Sequence, residues 1–265
     1  MKKFWFTLTA LVATCFLVAC SGSQGVNPKT VKENKKIVVA TESEFAPFEF
    51  KSLVNGKDTL VGADIELAKA IGKKLGVKVE FSVMSFDNVL ANVQSGKADI
   101  AIAGISVTDE RKKVYDFSDS YYTSENVVIV KKDKVNDFTS ADSLAKQTVG
   151  TQKGSVQETV AKKQIPKASV VSLASNGEMI NELKSGQIQA VVLEKAIAEG
   201  YIAQNDDLTL ASFNLKSDGS DAYAVATRKG SDDLLKEINA VIKETKDSGK
   251  FDQWLKEAST YKQSK

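Results

Sequence analysis

Arg111 ends the stretch Ala103-Gly104-Ile105-Ser106-Val107-Thr108-Asp109-Glu110-Arg111, three residues after a threonine placed to start a helix. Its planar guanidinium suits two-pronged binding of a carboxylate, which lysine cannot copy. The competing reading is a surface arginine on an exposed helix. Two glutamates lie just beyond apolar runs: Glu42 one residue after Ile37 to Ala40, and Glu194 directly after Ala190 to Leu193. Each offers acceptors to a cation, although Glu194 could be an ordinary acid at a helix start. A third stretch, Gln152-Lys153-Gly154-Ser155-Val156-Gln157, opens a helix at Gly154-Ser155, where backbone N–H groups and the helix dipole favour an anion.

What is missing narrows the chemistry further. The 265 residues contain no histidine, so His-based acid–base catalysis, Ser-His and Cys-His nucleophile pairs and His metal sites are excluded. Lys153-Gly154-Ser155 lacks the Gly-x-x-x-x-Gly-Lys-Ser/Thr spacing that cradles phosphate, and no cofactor motif is present. Lysine and arginine total 36 against 34 acids, with no basic stripe interleaved with aromatics, so nucleic acid is not an expected partner. At 42% hydrophobic and 26% charged, with 3 prolines, the chain has the makings of a real core.

Short strands and helices must position these residues. Ile37 to Ala40 and Ala98 to Ala103 read as buried strands, and Val77 to Val83 alternates with Val77, Val79, Phe81 and Val83 on one face. Asp64 to Leu75 carries apolar residues at helical spacing and ends before Gly76. Asn88 to Gln94, Asp232 to Lys246 and Lys250 to Glu257 also read as helices. The segments NVQSGKADIAI (92–102) and ELKSGQIQAVV (182–192) each close a helix with Ser-Gly and enter an apolar strand at the same offset. They suggest two βαβ units of similar build rather than one long sheet.

The N-terminus stands apart. Lys2 and Lys3 precede an apolar stretch of about 15 residues that ends Leu17-Val18-Ala19-Cys20. This reads as an export signal, being shorter than the roughly 20 apolar residues of a membrane span. Leu-Val-Ala-Cys resembles the lipobox of bacterial lipoproteins, which implies cleavage before Cys20 and its lipidation. Of the 2 cysteines, Cys15 would leave with the signal, so no structural disulfide is expected in the mature chain. Without Lys2 and Lys3 the mature chain holds 34 charges of each sign. Residues 20–34, rich in Gly, Ser, Asn and Lys, read as a flexible tether.

Four stretches together carry a wider resemblance: Ala40 to Phe50, Val61-Gly62-Ala63-Asp64-Ile65, Ala103 to Arg111 with its follow-on Tyr115-Asp116-Phe117-Ser118-Asp119-Ser120-Tyr121-Tyr122, and Gln152 to Gln157. From about Lys35 to the C-terminal helices the chain resembles the polar-amino-acid-binding proteins of bacterial ABC importers, solute-binding protein family 3. The resemblance implies an α/β, two-lobed periplasmic-binding-protein-like fold of type II, each lobe a small α/β sandwich, joined by two hinge crossings. Residues 1–19 would be the lipoprotein signal peptide and 20–34 the tether. Lobe 1 would comprise 35–121 and 224–265, and lobe 2 would comprise 126–219. The crossings would run at Tyr121 to Glu125 and Ser220 to Ala224.

The function implied is capture of a free L-amino acid outside the cell membrane and its delivery to permease subunits. The protein would be a monomer held to the membrane by its lipid alone, without cofactor or metal. Arg111, helped by N–H groups near Ser106 and at Gly154-Ser155, would grip the ligand carboxylate. Glu194, the Gly104 carbonyl and the Ser106 hydroxyl would take the ammonium. Family members often carry Asp where Glu194 stands, which leaves its reach open. Phe45 and Phe86 resemble the aromatic pair that sandwiches the ligand side chain, and either could be plain core. Glu42 would meet a cationic or polar side chain, which favours arginine or lysine. Ala103, Lys153 and Gln157 complete the expected ligand-binding set. Two alternatives share the scaffold: a dehydratase of amino-acid precursors with a carboxylate as general acid, and an extracellular amino-acid-sensing module.

Overall fold

The computed structural model describes residues 25–216, Gly219 and residues 221–264. The expected export signal, Cys20 and Ser220 of the second crossing lie outside them. The chain opens with helix α1 (Pro28–Glu33) and strands β1 (Lys36–Thr41), β2 (Glu44–Phe45), β3 (Glu49–Val54) and β4 (Lys57–Val61). Helix α2 (Ala63–Leu75), β5 (Lys78–Val83), α3 (Phe86–Gln94), β6 (Ile100–Ala101), α4 (Asp109–Lys112) and β7 (Tyr115–Phe117) follow. The middle of the chain runs β8 (Tyr122–Thr123), β9 (Asn126–Lys131), β10 (Thr148–Gln152), α5 (Val156–Gln164), β11 (Ser169–Leu173), α6 (Asn176–Ser185), β12 (Ala190–Glu194), α7 (Lys195–Gln204) and β13 (Leu208–Leu210). Strands β14 (Ala222–Tyr223) and β15 (Ala226–Arg228) lead to α8 (Asp232–Asp247) and α9 (Lys250–Ala258).

Two five-stranded sheets share one topology. Their orders are β5-β1-β6-β15-β7 and β11-β10-β12-β9-β13. In each, the first three strands are parallel and the fourth antiparallel. The antiparallel strand is the one that the chain enters after passing between the sheets: β9 after β8, and β15 after β14. Strands β8 and β14 themselves pair antiparallel, Tyr122 opposite Tyr223, so the two passages form a short ribbon. The repeated sequence segments take equivalent places, since α3 leads into β6 and α6 into β12, each third in its sheet. Gly96 and Gly186 close these helices with φ of 75° and 83°, a conformation that suits glycine.

The inner parallel strands β1, β6 and β12 are largely buried, which explains their apolar runs, whereas the edge strands β5 and β11 are only partly covered. Helices α2, α8 and α9 pack together on one side of the first sheet, and α3 packs on β1 and β15. One buried cluster is shared by both sheets and includes Phe45, Phe48, Tyr121 and Tyr223. Around the ribbon, Phe48 meets Tyr122 edge-on with centroids 4.9 Å apart, and Tyr223 at 5.4 Å.

Three local expectations are corrected. The tether does not extend to residue 34. Asn27 caps α1 by accepting from the Lys29 N–H at 2.8 Å, with Pro28 in its first turn, and Val26 and Val31 are buried. The Val26 N–H also donates to the Ser231 hydroxyl at 2.7 Å, so this segment is docked on the first sheet's helices. Second, Val83 does not join Val79 and Phe81 against the core, because β5 is an edge strand and its end is exposed. Third, the apolar run 98–103 makes regular ladder pairs only at Ile100 and Ala101.

Candidate functional site

The candidate residues lie where the parallel strands end. Glu42 follows β1, Ala103 and Gly104 follow β6, Gln152 closes β10, and Glu194 closes β12. Carboxyl ends of parallel strands gather residues from separate loops and helix N-termini in one place, the usual position of a ligand site in open α/β sheets.

Contacts from these residues cross between the sheets' lobes. The Gln152 side-chain amide donates to both carboxylate oxygens of Glu42, at 3.2 and 3.1 Å. Arg111 donates to the Ser106 carbonyl at 2.7 Å within its own lobe and to the Gly154 carbonyl at 3.1 Å in the other. Thr108 caps α4 by accepting from the Arg111 N–H at 3.1 Å, which fixes the arginine at the end of a single helical turn. The Phe86 ring lies 5.9 Å from the guanidinium carbon, within reach of a cation–π contact.

Gly104 sits at φ +53°, and a Cβ there would come within 2.5 Å of Cε1 of Phe45. The turn needs glycine for both its conformation and this close approach. Its N–H donates to Asp64 at 3.1 Å, and the same carboxylate oxygen accepts from the Tyr121 hydroxyl at 2.8 Å. The Gly-x-Asp element therefore holds the Gly104 turn and the start of the first passage. Ser106 is buried and bridges to Tyr223.

Buried acids dominate the electrostatics. Burial pushes Glu42 up to about 8, against the amide of Gln152, and Glu44 and Glu194 add to the rise. Burial likewise raises Glu194 to about 7, tempered by its own backbone N–H, by the polar atoms of Tyr223 and Gln157 and by the charge of Arg111. Desolvation lowers Arg111 to about 10, with Glu194 working the other way. Behind them, burial raises Glu49 well above the carboxylate range and Asp64 to about 6. A second positive charge reaching Glu42 and Glu194 would relieve this arrangement, because it replaces the protons that burial favours.

Not every expected residue turns inward. The Lys153 side chain is 60% exposed and pairs with Asp87 at 2.9 Å, while its backbone N–H donates to Leu173. The N–H groups of Gly154 and Ser155 are also engaged, with Glu158 and with the Gln152 carbonyl. The free donors at this corner are instead those of the first turn of α5, which have no partner inside the helix. Phe45 lies among Phe48 and Tyr223 in the aromatic cluster, whereas Phe86 lies by Arg111, so the two rings occupy different surroundings. Ala103 is fully buried.

Two residues were absent from the expected set. Gln152 lay in a stretch already singled out. Asn126 is buried at the head of β9, accepting from the Gln157 amide at 2.7 Å and donating to Asp221 at 3.0 Å. Its signal was a polar residue opening an otherwise apolar run. A solvent-open groove of about 1030 Å³ lined by Lys51, Leu53, Asp58 and Tyr261 includes none of the candidate residues. Among the described residues no cluster could hold a metal ion, and no helix is long and apolar enough to cross a membrane.

The model for bacterial extracellular solute-binding proteins, family 3, matches residues 37–258. The arginine-binding extracellular protein ArtP of Bacillus subtilis is 35% identical over 261 residues, covering 97% of each chain. A probable histidine-binding protein of Campylobacter jejuni is 30% identical over 97% of this chain and 98% of its own. Among solved structures, the amino acid ABC transporter substrate-binding protein AbpA from Streptococcus pneumoniae, bound to L-arginine, is 49% identical with a TM-score of 0.85. It covers 88% of this chain and 98% of its own.

Proposed function

This chain belongs to the bacterial extracellular solute-binding proteins of family 3, and we propose that it captures free L-arginine for an amino-acid ABC importer. The observation that carries this reading is a pair of buried acids, Glu42 and Glu194, raised to about 8 and about 7, with the half-buried Arg111 acting on Glu194. A zwitterion with a cationic side chain matches that charge pattern. Its carboxylate pairs with Arg111 and the first turn of α5. Its ammonium meets Glu194, the Gly104 carbonyl and Ser106. Its guanidinium meets Glu42 and the carbonyl oxygen of the Gln152 amide, with Phe86 and Phe45 along its length. The similarity to ArtP and to arginine-bound AbpA supports arginine over lysine.

Residues 35–121 and 224–265 form the lobe that carries Glu42 and Arg111, and 126–219 the lobe that carries Gln152 and Glu194. The lobes hinge at the β8–β14 ribbon, and a ligand touching both has differential affinity for the closed form, which is what drives closure. The protein works as a monomer, releases its amino acid unchanged to the permease, and is anchored through a lipid on Cys20. A thermal-shift screen of the common amino acids tests the ligand. Arginine should stabilise most, by about 2.7 kcal/mol at 100 times its dissociation constant. Lysine, glutamine and histidine should follow, and tight glutamate binding would refute the reading. Mass spectrometry after bacterial expression should find the mature chain beginning at a diacylglyceryl-modified Cys20; an unmodified chain with another start removes the anchor.

A further inference from the structure

Glu44 lies two residues beyond Glu42, yet its side chain leaves the candidate site. Its carboxylate accepts from the Ser175 hydroxyl and from the Gly177 N–H at 3.2 Å, both in the opposite lobe. Ser175 is the N-cap of α6, where its hydroxyl also accepts from the Glu178 N–H at 3.3 Å. The acid thus meets the N-terminal end of a ten-residue helix, where a negative charge is favoured by unpaired amides and the dipole. The fit is close, because a Cβ on Gly177 would stand 3.2 Å from the same carboxylate oxygen.

Two further links cross beside it. The Glu44 carbonyl accepts from the Tyr201 hydroxyl of α7 at 3.3 Å, and Gln263 donates to that hydroxyl at 3.5 Å. Gln263 belongs to a C-terminal tail tied to β3 by the Ser52–Gln263 bridge and by the Ser264 N–H on the Lys51 carbonyl at 2.7 Å. None of these residues belongs to the ligand-binding set. By contrast, Glu42–Gln152 and Arg111–Gly154 are built from that set and must rearrange when a ligand arrives. The Lys153–Asp87 pair also crosses, but its lysine is 60% exposed, and such pairs contribute little.

We propose that Glu44 is a positioning residue that clasps the closed lobes through the α6 N-terminus, setting affinity and residence time alike for every amino acid bound. Ranking among ligands stays with Glu42 and Gln152. The proposal rests on the reading that an amino acid binds between the lobes. Apparent affinity scales with the population of the binding-competent form, so a contact made only on closure tightens all ligands by one factor. Because release requires the clasp to open, the effect falls on dissociation rather than association.

The test compares wild type, Glu44→Ala, Glu44→Gln, Ser175→Ala and the Glu44→Ala/Ser175→Ala double variant as full mature chains. Calorimetry and stopped-flow binding use arginine and glutamine, and small-angle scattering of the ligand-free proteins reads the closed fraction. Glu44→Ala should weaken both ligands by the same factor, about tenfold for a charge-assisted contact, chiefly through faster dissociation. Its ligand-free closed fraction should fall. Glu44→Gln keeps an acceptor oxygen and should recover part of the loss. The double variant should lose less than the two single losses combined. Unchanged dissociation in Glu44→Ala overturns the proposal. So does a loss confined to arginine, which would make Glu44 a reader of the side chain. Should the wild type bind neither amino acid, the functional reading fails while scattering still decides the clasp, and equal closed fractions would refute it.

Discussion

Replacing Glu42 by glutamine separates two jobs held by one carboxylate. Closing the lobes takes this group out of water, and its closed-form value of about 8 stands against an ordinary 4.5. The closed form therefore binds more protons than the open one between those values. Ligand-free closure is favoured at low pH, loses ground as pH rises from about 4.5 to about 8, and levels off above. Each pH unit is worth about 1.4 kcal/mol, so at pH 7 burial of Glu42 costs the empty closed form about 3 kcal/mol, a population factor of about 300. A bound guanidinium removes that cost by taking the proton's place. The closed fraction of the ligand-free protein, followed by small-angle scattering from pH 5 to 9, should fall with pH in the wild type. In Glu42→Gln it should fall by about half as much, leaving the share of Glu194, whose value is about 7. In parallel, calorimetry at pH 7 should show arginine weakened by at least about 30-fold and glutamine by less than about 5-fold, since only arginine loses an ion pair. The same pH dependence in both proteins, or equal losses for both ligands, would refute the argument.

Arg111→Lys should weaken every amino acid by about 30-fold or more, because an ammonium cannot hold the Ser106 carbonyl and also grip a carboxylate with two prongs. Arginine amide, lacking the carboxylate, should fail against the wild type, and near-normal calorimetric binding in either experiment contradicts the assignment. Gly104→Ala places a Cβ 2.5 Å from Phe45 at a positive φ, so arginine binding should weaken by about tenfold or more. Calorimetry showing unaltered affinity would mean that the turn is not part of the site. Glu49 and Asp64 lie within one lobe, where burial raises both, so the folded state keeps protons that the unfolded chain releases, and stability falls as pH climbs above the ordinary carboxylate range. Glu49→Gln removes the larger part of that loss and should melt above the wild type at pH 8 but not at pH 4; identical melting at both values refutes it.

Local elements, and the identity of the groups available, are legible in the order of residues alone. Helices α2, α3 and α8 follow from apolar spacing, the Ser-Gly helix ends mark two equivalent units, and the Gly104 to Arg111 motif carries the family resemblance and the arginine proposed to grip a carboxylate. The absence of histidine closed several chemistries outright. These are readable because helical and strand periods and cap chemistry depend on residues a few positions apart. Tertiary structure decided which polar groups meet. Glu42 finds Gln152 across 110 positions of sequence and Glu44 finds Ser175 across 131, through a strand order and a hinge closure that no local period encodes. The same geometry turns Lys153 outward to Asp87, buries Asn126 against Gln157, and docks α1 where composition alone suggested a tether. Charge tuning belongs to this second class, because Glu42 and Glu44 are the same residue type two positions apart. Only the first is sealed in the closed interface, and desolvation rather than residue identity raises its proton affinity.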